Sequence, residues 1–450
     1  KVLGVFMDDL PGDIQNSDTW FNFILQTDQS FYLVYMLVAE DGQKTWNSVK
    51  PLYQEDIVGL ESALLMNNSR FIYSSDNVAF LFGSIGPPPI PMPDIESPQP
   101  PPPTTVALGL KTAYDLVKVF YATNRNREFS IPWFTDPTYY GGRDTQQLAY
   151  GYSYVSIPQS HKPGQVERPA YWKLEFKSDP EKHVTIQNLK TLSSNKFYDQ
   201  LVQGVKAGSS LREALIYVHG YNVSFNSSLH NAAVLAHDMS FNGTIMAFSW
   251  PSDAKFRQYV SDRTDAERTV PLFVEFLKNI KQLGVFDKVH IMAHSMGNDL
   301  LTRTMEQWYF RENQSRSEKS FDNLILAAPD VDLVTFKDRY AELLPKLSRR
   351  VSIYGSAKDK ALQLASEFLN GAPRLGSLDP VLVFENIDTI DASNAGDSLV
   401  YSSVTKLNHS YYLYRKFIRD LSQLIYSGKA PEQRSLQKSF NELDQAYWVL

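Results

Sequence analysis

The stretch KVHIMAHSMGNDLLTRTM, residues 288–305, joins a short apolar run to a helix-like pattern at a sharp corner. Ser295 lies at that corner, directly after the apolar run. So tight a turn brings together the residues two before and two after the serine, and both of these, Ala293 and Gly297, are small. The string A-H-S-M-G differs by one residue from G-x-S-x-G, the pattern of a serine nucleophile exposed between a strand and a helix. It predicts that Ser295 is a nucleophile rather than an ordinary turn serine.

The segments around this corner alternate between apolar strands and amphipathic helices. The predicted strands are EALIYVHGYN, TIMAFSWPS, KVHIMAHS, FDNLILAAPD, RRVSIYGSAKD and VLVFENIDTID, and the first four are separated by the predicted helices SSLHNAAVLAHDM, DAERTVPLFVEFLKNIKQL and NDLLTRTMEQWYF. Strands that are apolar on both faces and alternate with helices indicate a mostly parallel, doubly wound α/β sheet with helices on both faces. Active sites of such sheets lie at the carboxyl ends of the strands, which is where Ser295 falls.

The rest of the chain divides by composition. The segment GPPPIPMPDIESPQPPPPTT, residues 86–105, is too rich in proline for helix or central strand and predicts an extended linker. Before it, residues 1–85 predict a small mostly-β or α+β domain of unknown role. After it, residues 106–428 form the predicted catalytic domain, whose early segments LAYGYSYVSIP, YWKLEF and HVTIQNL look like antiparallel strands, and residues 429–450 form a tail.

Composition excludes several classes of function. The net charge of −6, without a basic stripe, argues against a nucleic-acid partner, and no apolar run is long enough to predict a transmembrane segment. The absence of cysteine removes disulfides, thiolate metal sites and a cysteine nucleophile. The His-Asp pairs in LAHDM and DKVH lack a second cluster with ligand spacing, so we expect no metal and no cofactor. A removed signal peptide, which would favour an extracytoplasmic location, and a shortened sequence would each explain the start at Lys1.

A serine nucleophile needs a base, because the pKa of its hydroxyl is far too high for attack at neutral pH. In enzymes of the α/β-hydrolase fold the chain order is serine, acid, histidine. Seven of the eight histidines precede Ser295, namely those at positions 161, 183, 219, 230, 237, 290 and 294. Only His409, in KLNHSYYLYRKF, follows it, and it is therefore the predicted base, with a surface or capping histidine as the alternative.

The acid that orients this histidine should follow a late strand. Asp359 lies a few residues past the strand in RRVSIYGSAKDKAL, and Asp330 and Asp332 follow the preceding strand in LILAAPDVDL. We prefer Asp359, because its strand is one nearer to the loop of His409. Asp330 remains the alternative acid, unless it caps the next helix.

The oxyanion hole of such an enzyme needs two backbone amides. We expect one from Met296, the residue after the nucleophile, and one from Tyr221, in the loop that follows the strand of IYVHGYN. Gly220 would let that loop approach closely, and His219 is interpreted as a scaffold residue that holds it. Tyr221 and Trp250 could line an apolar pocket or serve in packing, and residues 251–270 could be a lid or a connecting helix.

Several motifs together resemble those of a mainly bacterial family of α/β-hydrolase-fold proteins with no assigned function. The resemblance covers about residues 106–428 and is carried by FYATNR, LAYGYSYVSIPQSHKPGQVERPAYWKLEF, DPEKHV, YVHGYNVSF, AFSWPS, HIMAHSMGN, ILAAPDVD, GSAKDKAL, IDTIDAS and HSYY. It implies a Ser-Asp-His hydrolase of the esterase or lipase kind, with Ser295, Asp359 and His409 at the matching positions. It implies no particular substrate, and the front portion of the chain lies outside it.

Two classes of function follow. The first is a serine hydrolase that cleaves small-molecule or lipid carboxylic esters through an acyl-enzyme, with an amidase or peptidase as a variant on the same triad. The second is a non-catalytic α/β-hydrolase scaffold used for binding. The complete set of serine, acid and histidine favours the first class, because a scaffold has no need of all three.

Overall fold

The computed structural model describes residues 2–6, 19–26, 31–38, 44–52, 113–128, 134, 139–169, 178–206, 211–252, 259–312, 319–368, 371–396 and 409–450. The chain divides into two compact units, Lys1–Thr112 and Ala113–Leu450. The proline-rich segment 86–105 and the strand expected in YWKLEF lie outside the described residues.

The first unit contains a four-stranded antiparallel sheet in which neighbours in sequence are neighbours in space. Its strands are β1 (Val2–Phe6), β2 (Thr19–Gln26), β3 (Phe31–Val38) and β4 (Lys44–Leu52). These strands are the described part of the segment 1–85, for which the sequence predicts a small mostly-β or α+β domain.

The second unit is built on an eleven-stranded sheet, ordered β14-β15-β13-β12-β11-β10-β8-β9-β5-β6-β7. The strands are β5 (Tyr114–Arg127), β6 (Tyr140–Pro158), β7 (Thr185–Leu192), β8 (Glu213–Val218), β9 (Thr244–Ser249), β10 (Lys288–His294), β11 (Phe321–Ala327), β12 (Ser348–Gly355), β13 (Ile387–Asp391), β14 (Gln437–Phe440) and β15 (Ala446–Val449). The eight neighbouring strands from β15 to β5 in this order pair in parallel. Strand β14 at one edge, and β6 and β7 at the other, pair antiparallel.

Helices cover both faces of this sheet. They are α1 (Ser194–Lys206), α2 (Phe225–Asp238), α3 (Tyr259–Gln282), α4 (Gly297–Glu312), the short α5 (Leu333–Thr335) and α6 (Leu344–Leu347), α7 (Lys360–Phe368) and α8 (Arg415–Ser427). Among the described residues, none of them combines the length and apolarity needed to span a membrane. Of the segment 251–270, the part from Tyr259 onward belongs to helix α3, and residues 253–258 lie outside the described residues.

The core has two layers, one on each side of the sheet. All six residues of β8 are buried, and its alternate side chains enter different apolar clusters. Ile216 and Val218 pack in the cluster that contains side chains of α1, α3 and α4, whereas Leu215 and Tyr217 pack in the cluster that contains side chains of α2 and α8. A strand that is buried on both faces has no polar face, which is why it reads as a continuous apolar run. The predicted doubly wound α/β fold is confirmed.

The C-terminal residues differ from the expected tail at 429–450. Strand β15 pairs in parallel with β13, and β14 adds to β15 as an antiparallel edge strand. The buried Arg434 anchors this segment through Asp420 and Asp388, each with an N–O distance of 3.3 Å. Each strand has only four residues, too few to show an alternating pattern in the sequence.

Candidate active site

The corner after β10 holds Ser295 in a left-handed backbone conformation, with φ of 52°. This conformation costs an ordinary residue about 1–2 kcal/mol and persists only where its surroundings impose it. Here Ser295 N donates to Ala327 O at 3.0 Å, and Ser295 O accepts from Asp330 N at 3.2 Å. The Asn298 side chain adds hydrogen bonds to the carbonyl oxygens of Ala293 (3.2 Å), Ser295 (3.1 Å) and Ala327 (3.0 Å). The backbone of the predicted nucleophile is therefore held by strand β11, by the loop that follows β11, and by helix α4.

Small residues around the corner allow two loops to approach each other. A Cβ on Gly297 would lie 2.4 Å from His219 O, and one on Gly220 would lie 2.7 Å from Ser295 Cβ. Both separations are shorter than real Cβ atoms show, so a larger residue at either position would force the loops apart. Ala293 is fully buried at the same turn. The loop after β8 thus passes directly beside Ser295.

The predicted acid and base are hydrogen-bonded to each other. His409 Nδ1 lies 2.8 Å from Asp359 Oδ2, and Asp359 is fully buried in the turn between β12 and α7. Its other oxygen, Oδ1, accepts from the backbone amides of Ala361 and Leu362, both at 3.1 Å. These amides fix the orientation of the carboxylate, so that Oδ2 faces the imidazole. Burial lowers the pKa of His409, but the Asp359 carboxylate raises it, and the net shift is upward.

His409 lies against the residue that precedes Ser295. The rings of His294 and His409 have centroids 4.8 Å apart, and His294 Nε2 lies 3.1 Å from His409 O. Burial keeps the pKa of His294 well below its ordinary value, so its neutral ring can donate that hydrogen bond to the His409 carbonyl. Because Nδ1 of His409 is engaged by Asp359, Nε2 is the ring nitrogen that this hydrogen bond leaves available. The structure therefore brings Ser295, Asp359 and His409 to one edge of the sheet.

The alternative acid, Asp330, has other partners. Arg374 Nε donates to its Oδ1 at 2.7 Å, Tyr259 Oη donates to its Oδ2 at 2.6 Å, and Arg374 Nη2 donates to its carbonyl at 2.8 Å. Since Asp330 N also donates to Ser295 O, this buried network braces the serine corner. Asp332 caps α5 by accepting from Thr335 N. Tyr259 and Arg374 are not predicted from the sequence, because each lies far along the chain from Asp330 and no local pattern marks the contact.

The two residues expected to supply oxyanion amides lie in the two segments that meet at the serine corner. Met296 follows Ser295 and is fully buried, and its amide has no acceptor among the described residues. Tyr221 follows Gly220 in the loop beside the serine, and its ring packs edge-on against Tyr259 with centroids 5.5 Å apart. An amide without a protein acceptor at the start of a helix is suited to bind negative charge.

His219 holds the loop after β8 from inside the protein. Its Nδ1 donates to Gly220 O at 2.8 Å, and its Nε2 lies 3.1 Å from Trp250 O and 3.3 Å from Arg125 Nη2. Burial and the positive charge of Arg125 lower the pKa of this ring to about 3, so it is neutral. It stacks on Trp250 at 5.1 Å, and Trp250 Nε1 donates to its carbonyl at 2.7 Å. Trp250 is fully buried and thus packs in the core rather than lining an open pocket.

Comparison with known proteins gives the following similarities. An uncharacterized protein of Nostoc sp. is 26% identical over 262 residues, and the match covers 51% of this chain and 62% of that protein. A predicted CIB-like hydrolase from Thermoplasma acidophilum has a TM-score of 0.26 at 17% identity, covering 48% of this chain and 89% of its own. A hyperthermophilic esterase from Pyrobaculum calidifontis has a TM-score of 0.26 at 13% identity, and the match covers 53% of this chain and 94% of the esterase chain. Both TM-scores are low, so the overall similarity of the two structures to this chain is weak.

The family match is more extensive. Residues 195–427, which are more than half of the chain, match the family described as alpha/beta hydrolase of unknown function (DUF900). The matched region contains β8 to β13 and the serine corner, and it includes Ser295, Asp359 and His409. The chain belongs to this family of α/β hydrolases of unknown function.

Proposed function

We propose that this protein is a serine hydrolase that cleaves carboxylic esters through an acyl-enzyme intermediate. Ser295 is the nucleophile, His409 the general base and Asp359 the acid that orients it. The observation that carries the proposal is the Asp359–His409 hydrogen bond of 2.8 Å, next to a serine held at a positive φ of 52°. A strained serine at the start of a helix, beside a histidine that is oriented by a buried carboxylate, is the arrangement that activates a hydroxyl group.

The reaction divides into two transfers. Nε2 of His409 accepts the proton of Ser295 as Oγ attacks the ester carbonyl, and the amides of Met296 and Tyr221 stabilise the resulting oxyanion. The tetrahedral intermediate collapses, the C–O bond to the alcohol breaks, and the alcohol leaves with the proton from His409. Water then attacks the acyl-enzyme with His409 again as base, which releases the carboxylic acid and restores the serine. Asp359 keeps the Nδ1 proton in place and stabilises the transient imidazolium.

Two alternatives remain as outcomes of the test. An amidase or peptidase would use the same three residues and differ only in the leaving group. A binding scaffold would use the fold without chemistry at Ser295. The protein of Nostoc sp. does not separate these alternatives, because it is uncharacterized and the match covers only 62% of its length.

The test uses an active-site probe and a panel of substrates. The wild-type protein should be labelled covalently by a fluorophosphonate at Ser295, located by peptide mass, and should hydrolyse p-nitrophenyl acetate, butyrate or octanoate faster than the matching p-nitroanilides. Ser295→Ala should lose both properties, whereas Ser427→Ala, at an exposed serine of α8, should retain them. Faster cleavage of anilides would favour the amidase. A folded wild type that neither labels nor hydrolyses would favour the scaffold, and full labelling of His409→Ala would contradict the assigned base.

A further inference from the structure

Two histidines and an aspartate meet at a second cluster, outside the candidate active site. His161 lies in the turn after β6, and His237 and Asp238 lie at the end of α2. One possible ligand atom from each of them falls within 4.8 Å of the others. We propose that His161, His237 and Asp238 bind a divalent metal ion, with Zn²⁺ as the first candidate.

The distances between the donor atoms suit a small divalent ion. His161 Nε2 is 2.7 Å and His237 Nδ1 is 3.5 Å from Asp238 Oδ1. Ligands at the usual Zn–N and Zn–O distances of about 2.0–2.2 Å lie about 3.3 Å apart in a tetrahedral site. A shift of about half an ångström between His161 and Asp238 would therefore admit the ion. Two imidazoles and one carboxylate favour Zn²⁺ over the hard ions Mg²⁺ and Ca²⁺, and leave at least one position for water.

Each of the three side chains is already oriented by a second partner. The remaining ring nitrogen of His161, Nδ1, lies 2.8 Å from Glu167 Oε2, and that of His237, Nε2, lies 3.3 Å from Asp115 Oδ2. Asp238 Oδ2 accepts from the amide of Gly164 at 2.7 Å. Metal-binding histidines typically donate their other N–H to a carboxylate in this way, which fixes the tautomer and the direction of the free nitrogen. Here both histidines have such a carboxylate, and the nitrogens left over are the two that converge on Asp238.

The cluster is buried but can be reached from one side. The side chains of His161 and Asp238 are 3% and 1% exposed, whereas that of His237 is 29% exposed. The competing interpretation is an ion-pair network without metal. Burial lowers the pKa of His161, but the hydrogen bonds to Asp238 and Glu167 outweigh it and raise the pKa to about 9. A charged His161 between two carboxylates would hold the same atoms together, so metal content has to distinguish the two.

A metal at this cluster would act as a clamp rather than in the ester chemistry. It would join the turn after β6 to the end of α2, since His161 and Asp238 are 77 positions apart in sequence. Helix α2 starts just after the loop beside Ser295 and has 14 residues, so its far end is about 21 Å from that loop. From the sequence alone we expect no metal, because His237 and Asp238 form an isolated pair there and His161 lies far away along the chain.

The experiment measures metal binding by the full chain. Protein purified without a metal-affinity step is analysed for metal content, stripped with EDTA, and titrated with Zn²⁺ and, separately, Mg²⁺ by calorimetry and thermal denaturation. The wild type should bind one Zn²⁺ per chain with a rise in Tm, and Mg²⁺ should not reproduce it. Asp115→Asn leaves the three ligands in place and alters the partner of His237, so it should weaken Zn²⁺ binding by about 10- to 100-fold. His237→Asn should lose the site.

Two control variants distinguish this site from general effects. His230→Asn makes the same change on the same helix, seven positions before His237, and should bind Zn²⁺ as the wild type does. Ser295→Ala should also bind Zn²⁺ normally, and fluorophosphonate labelling should be equal in stripped and loaded protein, which separates this proposal from the proposed hydrolase. A wild type that binds no Zn²⁺, or a His237→Asn variant that binds it as tightly as the wild type, would overturn the proposal and leave an ion-pair network.

Discussion

Replacement of Asp359 by asparagine tests the proposed triad most directly, because the structure dictates how the new amide would sit. The backbone amides of Ala361 and Leu362 both donate to Asp359 Oδ1, and an asparagine carbonyl can accept the same two hydrogen bonds. The NH₂ group of the asparagine would then occupy the place of Oδ2, 2.8 Å from His409 Nδ1. His409 Nδ1 would then have to accept a hydrogen bond from this NH₂ group rather than donate one, which places the ring proton on Nε2. The base would then present the wrong tautomer to the serine.

The magnitude follows from the charge that is lost. Two unit charges separated by the 2.8 Å between Asp359 and His409 attract by about 6 kcal/mol at the effective dielectric constant of about 20 that suits buried sites. If all of this stabilised the imidazolium of the transition state, it would correspond to about four decades in rate. The side chain of His409 is 18% exposed, so water recovers part of the loss. We expect kcat to fall by about 10³- to 10⁴-fold, with little change in KM.

The assay is the second-order rate of fluorophosphonate labelling together with kcat and KM on the best p-nitrophenyl ester. Circular dichroism establishes that Asp359→Asn is folded. Asp332→Asn is the matched control: it removes one carboxylate from a nearby helix cap, and asparagine caps equally well. If folded Asp359→Asn kept more than about a tenth of the wild-type rate, Asp359 would not be the acid of the triad.

The same variant should change the pH profile. Burial lowers the pKa of His409 and the Asp359 carboxylate raises it, with a net upward shift. The base must be neutral to accept the serine proton, so kcat/KM of the wild type should decline as the pH falls through this raised pKa. In Asp359→Asn the burial remains and the charge is gone, so the acid limb of the residual activity should move to lower pH. An unmoved acid limb would show that it reports another group.

Two further substitutions test the serine corner and its support. Gly220→Ala would place a methyl group 2.7 Å from Ser295 Cβ and should slow fluorophosphonate labelling by about 10²-fold or more. Gly204→Ala, on an open helical position with nothing within 4 Å, should leave labelling unchanged and raise the free energy of unfolding by about 0.5–1 kcal/mol; equal labelling by both variants would refute the close approach. Arg374→Ala should lower the free energy of unfolding in urea by about 3–5 kcal/mol, because the buried Asp330 carboxylate would lose its counter-charge. A loss below about 1 kcal/mol would mean that the ion pair is not a support.

The parallel part of the sheet could be predicted from the sequence because a strand buried on both faces appears there as a continuous apolar run. Strands such as β8 and β10 are buried along nearly all of their length, and they are separated by helices of 14 to 24 residues. A right-handed crossover then fixes how successive strands are placed. The small residues at the serine corner were readable for a similar reason. A larger side chain would not fit at the turn; a Cβ on Gly297, for example, would lie 2.4 Å from the carbonyl oxygen of His219.

The parts that the sequence left out depend on contacts between distant segments. The short strands β14 and β15 are defined by pairing with β13, and their four residues each carry no periodic signal. The second cluster needs His161 beside Asp238, which only the folded chain brings together. The contacts of Tyr259 and Arg374 with Asp330 likewise join segments that are far apart in sequence. Local patterns predict elements and turns, but they do not predict which side chains meet across the sheet.

The two candidate acids have different partners in the fold, which bears on the choice that the sequence left open. Asp330 and Asp359 follow adjacent parallel strands, β11 and β12, so each reaches the same edge of the sheet. The charge of Asp330 is paired with Arg374 at 2.7 Å, and among the charges that raise the pKa of His409 the contribution of Asp359 is larger than that of Asp330. The charge of Asp359 is met by backbone amides and by His409 itself, so protonation of the imidazole completes a charge pair there. The ion pair with Arg374 thus distinguishes Asp330 from Asp359, the carboxylate that we propose as the acid of the triad.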